Sequence, residues 1–250
     1  MKIPKTRILG IRVDLVDMQT TLDYVEDFIK KRTVNQIVVV NVAKVIRARA
    51  NKFLRSIIEK ADLAGADGIP LVWISKFFGK PIPGRVNGTD LMDKLITLSA
   101  KKGYSIYFLG AKEQVINKVV NIYKQKYPSL KIAGFRNGYF SEDEEEKVAD
   151  EIKKSNADIL LVGISTPKKE YFIYNYKNKM EVPVIHGVGG SFDVVAGVTK
   201  RAPKWMQNYG LEWLFRLIQE PGRMWKRYLV TNTKFILFIL LELLDFKKFR

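Results

Sequence analysis

Residues 61–92 read ADLAGADGIPLVWISKFFGKPIPGRVNGTDLM, and this stretch decides the fold. A short apolar strand leads into Asp67 and Gly68, an apolar helix follows at once, and a Pro/Gly elbow then leads to Arg85. In open α/β sheets, ligands bind outside the carboxyl ends of the strands. Glycine lets a ligand approach the backbone closely. We therefore predict that Asp67 carries the chemistry.

The alternation of apolar strands and helices extends in both directions from this stretch. Continuous apolar runs of strand length indicate strands that are buried on both faces, as in parallel sheets. They cover 36–40, 63–66, 105–109, 131–135, 158–163 and 182–186, and a further short strand is predicted at 8–13. Helical patterns separate most of these runs. The order predicts an α/β fold, a Rossmann-like and mainly parallel sheet flanked by helices.

The composition changes near Lys200. From there to the end, eleven Lys/Arg stand against four Asp/Glu, and aromatic residues are interleaved with the cations. This part shows no strand pattern. We predict two units: an α/β catalytic domain of residues 1–200, and a basic, aromatic-rich helical appendage of residues 201–250.

The formal net charge of +17 points to an anionic partner. Aromatic residues among lysines and arginines suit a nucleic-acid-binding module, and they equally suit helices that lie on an anionic membrane. The apolar run FILFILLELL at 235–244 favours the membrane. It is about half as long as a spanning helix and contains Glu242. We expect docking on a membrane surface, and the nucleic-acid module remains the alternative.

Several classes of chemistry are disfavoured by composition. The chain has no cysteine and one histidine, so thiolate sites and histidine metal clusters lack their residues, and Ser191 has no histidine partner in a recognisable triad order. The sequence contains no D-x-D triplet. An enzyme that acts on a nucleotide diphosphate without such carboxylates must neutralise the leaving phosphate with Arg, Lys and backbone N–H groups. We therefore expect no metal and no cofactor. The turn at Gly110 either offers such N–H groups to an anion or is an ordinary strand-to-helix turn.

The order of motifs resembles the WecG/TagA/CpsF glycosyltransferase family, which is glycosyltransferase family 26 with the GT-E fold. The motifs are ADGIPLVW (66–73), GRVNGTDLM (84–92), FLGAKEQV (108–115), NGYF (137–140), VGISTPKKE (162–170) and GGSFDVVAGVTKRAPKWMQNYGLEWLFRLIQEPGRMWKRYL (189–229). The resemblance extends from about residue 41 to residue 229.

The resemblance implies an inverting enzyme that uses a UDP-sugar as its donor. The acceptor would be a polyprenyl-diphosphate-linked sugar, and the product would serve teichoic acid or another surface polysaccharide. The enzyme would be peripheral, at the cytoplasmic face of the cell membrane. A nucleic-acid partner is not expected, and a homo-oligomer stays open.

Site residues follow from the same motifs. Asp67 is expected to be the catalytic base and Arg85 an active-site cation. The expected substrate-binding residues are Asn41, Gly68, Asp90, Gly110, Tyr139, Lys169, Asp193, Arg216, Arg223 and Lys226. Among them, Tyr139 and Asp193 would hold the uridine. Arg216, Arg223 and Lys226 would close over the diphosphates.

Two positions depart from the family pattern. Val39 stands where the family often has Thr, and Lys169 replaces the Gln of a P-K-Q-E motif. A lysine can neutralise a carboxylate or phosphate, whereas an amide only forms hydrogen bonds. We hypothesise that the donor or acceptor differs from the N-acetylmannosamine case, towards a uronic acid or hexose donor.

Overall fold

The computed structural model describes residues 3–248, apart from the side chains of Arg223, Arg227 and residues 245–248. Its strands are β1 (Lys5–Ile8), β2 (Ile11–Asp14), β3 (Asn35–Val40), β4 (Leu63–Ala66), β5 (Ser105–Gly110), β6 (Lys131–Arg136), β7 (Ile159–Gly163) and β8 (Val184–Gly187). The first two form an antiparallel hairpin. The other six form one parallel sheet in the order β4-β3-β8-β7-β5-β6.

Helices cover both faces of the sheet. They are α1 (Met18–Lys31), α2 (Val42–Ala50), α3 (Lys52–Lys60), α4 (Ile69–Phe77), α5 (Gly88–Lys102), α6 (Glu113–Lys126), α7 (Glu145–Lys154), α8 (Lys168–Met180), α9 (Ser191–Val195), α10 (Lys204–Asn208), α11 (Glu212–Gln219) and α12 (Pro221–Lys248). Successive side chains of a strand point to opposite faces. Val39 therefore packs with α1 and α5, and Val40 with α2 and α3.

The carboxyl ends of all six parallel strands lie at one edge of the sheet. The chain continues outward from β3 to β4, whereas β8 is reached from the other half of the sheet. The crevice between β3 and β8 is thus a topological switch point, where α/β sheets bind their ligands. Asn41 follows β3 and Asp67 follows β4, and the Asp67 N–H donates to the Val40 carbonyl at 2.7 Å. Asn41 therefore stands beside this switch point, and Asp67 stands one strand further out, after the edge strand β4.

The predicted α/β fold with a parallel sheet is confirmed, and six predicted strands lie within two residues of their observed bounds. The predicted strand at 8–13 was wrong, because the chain turns back there. Leu9 and Gly10 have positive φ angles of 50° and 76°. Two such residues form the tight loop of a hairpin, so β1 and β2 pair with each other.

A buried ion pair joins the hairpin to the sheet. Asp14 is fully buried and receives two hydrogen bonds from Arg12, both of 2.8 Å. Its Oδ2 also accepts from the Ala64 N–H of β4 at 2.8 Å. The hairpin is therefore hydrogen-bonded to β4, the strand that leads to Asp67.

Residues 201–248 are helical or irregular in the described structure, as the absence of a strand pattern predicted. The long helix α12 packs against α2, and its Phe235 and Ile239 are 5% exposed within the same apolar cluster as Val45. The C-terminal helices thus contribute to the core. The boundary at residue 200 stays a prediction.

We predict that Asp14→Ala lowers the free energy of unfolding by about 3–5 kcal/mol, because it leaves a largely buried guanidinium without its partner. Urea denaturation measures this loss. Asp27→Ala is the matched control, since Asp27 pairs with Lys31 on an exposed helix face at 2.6 Å. Removal of that pair costs about 0.5 kcal/mol or less. Equal losses for the two variants would contradict the role of Asp14.

Candidate active site at the carboxyl edge of the sheet

Asp67 is held by the backbone on both sides. Gly68 has a φ of 143°, a conformation that side chains disfavour, and it turns the chain from β4 into α4. After α4 the chain returns, and the Val86 N–H donates to the Ala66 carbonyl at 2.7 Å. This places Asn87 next to Asp67. The Asn87 Nδ2 donates to Asp67 Oδ1 at 2.9 Å.

The orientation of the Asn87 amide is set by the helix that it caps. Its Oδ1 accepts from the N–H groups of Thr89 and Asp90 at 3.0 and 3.2 Å. With the oxygen used as an N-cap, the amide nitrogen faces Asp67. Asp90 points the other way and pairs with Arg201. Asp90, predicted to bind substrate, is therefore in an ion pair with the C-terminal segment.

Cations from three elements surround the Asp67 carboxylate. Burial raises the pKa of Asp67, and the charges of Arg85, Lys44 and Arg216 and a hydrogen bond from Asn41 oppose this rise. Lys44 stands in the first turn of α2, where Asn41 Oδ1 caps the helix at 3.0 Å. The structure thus brings together four residues that the sequence predicted: Asn41, Asp67, Arg85 and Arg216.

A second carboxylate, Glu212 of α11, completes the cluster, and sequence reasoning missed it. Arg85 Nη2 lies 2.5 Å from Glu212 Oε2, and Arg85 Nη1 donates to the Gln207 carbonyl at 2.9 Å. Burial raises the pKa of Glu212, against the charge of Arg85. Glu212 stands four residues before Arg216, and this helical spacing places both on one face. The spacing is the signal that could have revealed it.

Lys169 and Val39, the two departures from the family pattern, line the same small cavity. The cavity has a volume of about 20 Å³ and is also lined by Lys44 and Gly187. Lys169 is 9% exposed, and its Nζ lies 3.5 Å from Glu170 Oε1. The two unusual side chains are therefore neighbours of a cation that acts on Asp67.

Gly110 and Tyr139 lie towards the other end of the same edge. A Cβ at Gly110 would lie 2.4 Å from the Gly163 carbonyl carbon, so the glycine is required by the close approach of β7. Tyr139 is 71% exposed after β6, which is five strand spacings from β4, roughly 24 Å. Asp193 is in the first turn of α9, after the central strand β8. The predicted uridine residues thus lie apart from Asp67.

The remaining predicted cations are on α12. Lys226 is exposed, and its Nζ lies 5.5 Å from the Trp225 ring centroid. It is absent from the cations found to act on Asp67. The side chain of Arg223 lies outside the described residues. Closure of these two over a diphosphate stays a prediction.

The outer face of α12 is apolar. Its exposed large residues are Trp225, Leu229, Val230, Ile236, Leu237, Leu240, Leu241 and Leu244. On α4, which follows Asp67, Trp73 and Phe77 are 52% and 70% exposed, with Lys76 and Lys80 nearby. Within residues 3–248, none of the helices combines the length and apolar character needed to cross a bilayer. In the same range, no group of three or more His, Cys, Asp or Glu could hold a metal ion.

A half-buried carboxylate among cations lies at the carboxyl edge of a parallel sheet, the edge at which α/β folds bind their ligands. The family model described as "Glycosyl transferase WecG/TagA/CpsF family" matches residues 6–249. The chain belongs to this family of glycosyltransferases, as its motifs predicted.

Two relatives are named N-acetylglucosaminyldiphosphoundecaprenol N-acetyl-beta-D-mannosaminyltransferase. The protein of Bacillus spizizenii (strain W23) is 37% identical over 182 residues, which cover 73% of this chain and 70% of the relative. The protein of Bacillus subtilis (strain 168) is 34% identical over 227 residues, which cover 90% and 87%. The similarity therefore includes both the Asp67 region and most of the sheet.

Proposed function

We propose that this enzyme transfers a sugar from a UDP-sugar to polyprenyl-diphosphate-linked N-acetylglucosamine, with inversion at the anomeric carbon. The observation that carries the proposal is the Asp67 carboxylate, which lies among the charges of Arg85, Lys44 and Arg216 beyond the carboxyl ends of β3 and β4. The named relatives support the acceptor, because their names specify N-acetylglucosamine on an undecaprenyl diphosphate.

In the proposed mechanism, Asp67 removes the proton from the acceptor hydroxyl. The hydroxyl oxygen forms a bond to the anomeric carbon, and the bond from that carbon to UDP breaks with its electron pair on the leaving phosphate. Burial raises the pKa of Asp67 and so makes the carboxylate a stronger base than an exposed aspartate. The proton of the acceptor ends on Asp67.

The leaving diphosphate carries charge that the site must neutralise. Arg85, Arg216 and Lys44 are cations from three different elements that converge near Asp67. Fixed cations stabilise the charge that develops in the transition state without reorganisation. We propose that these side chains do this work and that no metal is required. Tyr139 and Asp193 are proposed to bind the uridine.

The donor is proposed to be of the N-acetylmannosamine type, as the names of the relatives support. If the enzyme uses a different donor, Lys169 is the residue that would recognise its sugar. Its ammonium group is buried beside Glu170, so part of its charge is already balanced within the protein. A uronic acid or hexose donor remains the alternative that Lys169 raises.

We propose that the protein is peripheral, at the cytoplasmic face of the membrane, where α12 docks on anionic lipid. Both helices expose apolar side chains beside cations in sequence: α12 has its exposed leucines and Lys226, and α4 has Trp73 and Phe77, with Lys76 and Lys80 close in sequence. Interfacial helices combine such residues, and each cation near an anionic surface contributes about 1 kcal/mol. This apolar face favours lipid over nucleic acid, because contacts to phosphates and bases do not require it.

The experiment that tests the proposal is mass spectrometry of the product. Purified enzyme receives the polyprenyl-diphosphate acceptor and a mixture of UDP-sugars, with and without EDTA. We expect one added N-acetylhexosamine and equal turnover in EDTA. A hexuronic acid or hexose product that Lys169→Gln shifts to N-acetylhexosamine would confirm the alternative donor. Absence of any sugar transfer would contradict the function, and strict dependence on Mg²⁺ or Mn²⁺ would contradict the metal-free mechanism.

We predict that Asp67→Asn reduces kcat by roughly 10²–10⁴-fold, because the amide cannot accept the acceptor proton. The binding of UDP, measured by calorimetry, should stay close to that of the wild type, since the cations are unchanged. Near-normal turnover of Asp67→Asn would show that another group is the base.

We predict that the double variant Leu237→Gln/Leu241→Gln binds anionic vesicles at least about tenfold more weakly. Both leucines are about half exposed, at 51% and 50%, and each contributes roughly 1–2 kcal/mol when it leaves water. Cosedimentation with phosphatidylglycerol vesicles measures the change. Phe135→Gln is the control, since Phe135 is 40% exposed on β6, away from α12. Undiminished binding would contradict docking through α12, and tight salt-dependent RNA binding would favour the nucleic-acid alternative.

A further inference from the structure

Arg85 is held mainly by the C-terminal segment, although it belongs to the core. One of its terminal nitrogens contacts Glu212 Oε2 at 2.5 Å, and the other donates to the Gln207 carbonyl at 2.9 Å. The side chains of Arg85 and Glu212 are 14% and 25% exposed. A charge-assisted pair of this burial restricts both partners. The position of Arg85 beside Asp67 therefore depends on where α11 lies.

Asn87 connects the two carboxylates. Its amide nitrogen has two hydrogens, and it lies 2.9 Å from Asp67 Oδ1 and 3.4 Å from Glu212 Oε2. Because its oxygen caps α5, the nitrogen cannot turn away without loss of the cap. Glu212 thus shares its two partners, Arg85 and Asn87, with the Asp67 carboxylate.

The charges around Asp67 form one network. Asp67 and Glu212 are the two carboxylates, and Arg85, Lys44, Arg216 and Arg201 are the cations that act on one or both of them. Two carboxylates at short range oppose each other's ionisation, and the negative charge of Asp67 raises the pKa of Glu212. The repulsion between two negative charges acts on both of them, so an ionised Glu212 also opposes the ionisation of Asp67. Asp67 is then a stronger base.

We propose that Glu212 is a positioning residue for the transfer reaction: it holds Arg85 and Asn87 around Asp67, so that the base is correctly arranged only when α11 is docked on the core. The proposal rests on the assignment of Asp67 as the base under the proposed function. It adds a residue that has no contact with substrate and whose effect passes through two neighbours. It also links the position of the C-terminal helices to the chemistry of the core.

The central test is Glu212→Gln in the full-length enzyme, compared with the wild type over a range of pH. The variant removes a negative charge close to Asp67, and this change favours ionised Asp67. The base works deprotonated, so activity is lost as the pH falls through its pKa. A lower pKa therefore moves the acidic limb of kcat/KM to lower pH, by about half a unit or more for one neighbouring charge.

The rate should change as well as the pH profile. We expect kcat to fall by roughly ten- to a hundredfold, as when a reacting group is displaced by part of an ångström. The KM for the UDP-sugar should change less. Glu212→Asp keeps the charge with a shorter reach, so it should lose part of kcat while its acidic limb stays in place. A wild-type kcat for Glu212→Asp would contradict a positioning role. This variant keeps the inference testable if Glu212→Gln does not fold.

Arg201→Gln is the matched control. It breaks the Arg201–Asp90 pair, a second ion pair between the core and the C-terminal segment, and leaves Arg85 and Asn87 with their partners. It should produce no downward shift of the acidic limb. An equal shift in Arg201→Gln would attribute the effect to general loosening of the segment and overturn the role of Glu212.

The remaining outcomes separate this inference from the proposed function. Unchanged kcat and an unmoved limb in Glu212→Gln, with Asp67→Asn inactive, would overturn the inference alone. A lower KM at constant kcat would mean that Glu212 competes with the substrate for Arg85, which also overturns it. An active Asp67→Asn would overturn the base assignment and the inference with it.

Discussion

The site depends on a carboxylate that is held in a place where water solvates it poorly. Such a group is costly unless hydrogen bonds and cations compensate. For Asp67 the compensation comes from Asn41 and Asn87 and from the charges of Arg85, Lys44 and Arg216. These partners belong to distant parts of the chain, so the surroundings of Asp67 require that β3, β4, α5 and α11 are all in place. Stability and chemistry are coupled through this one group.

The sheet was predictable from sequence because most of its strands, all but the edge strand β6, are largely buried and apolar. The run at 36–40 is an example, since every residue of β3 is buried. The hairpin was not predictable in the same way, because Leu9 gives no signal that it will adopt a positive φ. The pattern of apolar residues identifies the strands. The two-residue turn depends on a positive φ at Leu9, which the residue type does not predict.

The candidate site was predictable where a residue stands at a strand end or in a motif. Asp67, Asn41 and Arg85 were found in this way, and the structure places them together. Glu212 and the amide of Asn87 were missed, because their roles arise from contacts between residues distant in sequence: 127 positions for Arg85–Glu212, 125 for Asn87–Glu212 and 20 for Asn87–Asp67. Tyr139 and Asp193, which the resemblance predicts to hold the uridine, follow the other strands β6 and β8. Their roles rest on the resemblance.

The helix α12 has two apolar sides, and this has a consequence for how the chain is made. Its inner side supplies Phe235 and Ile239 to a cluster that is otherwise built from residues 8–82. Domains generally form from the N-terminus during synthesis, so this cluster stays partly uncovered until α12 has been translated. A nascent chain therefore presents uncovered apolar surface at α2 until α12 packs against it.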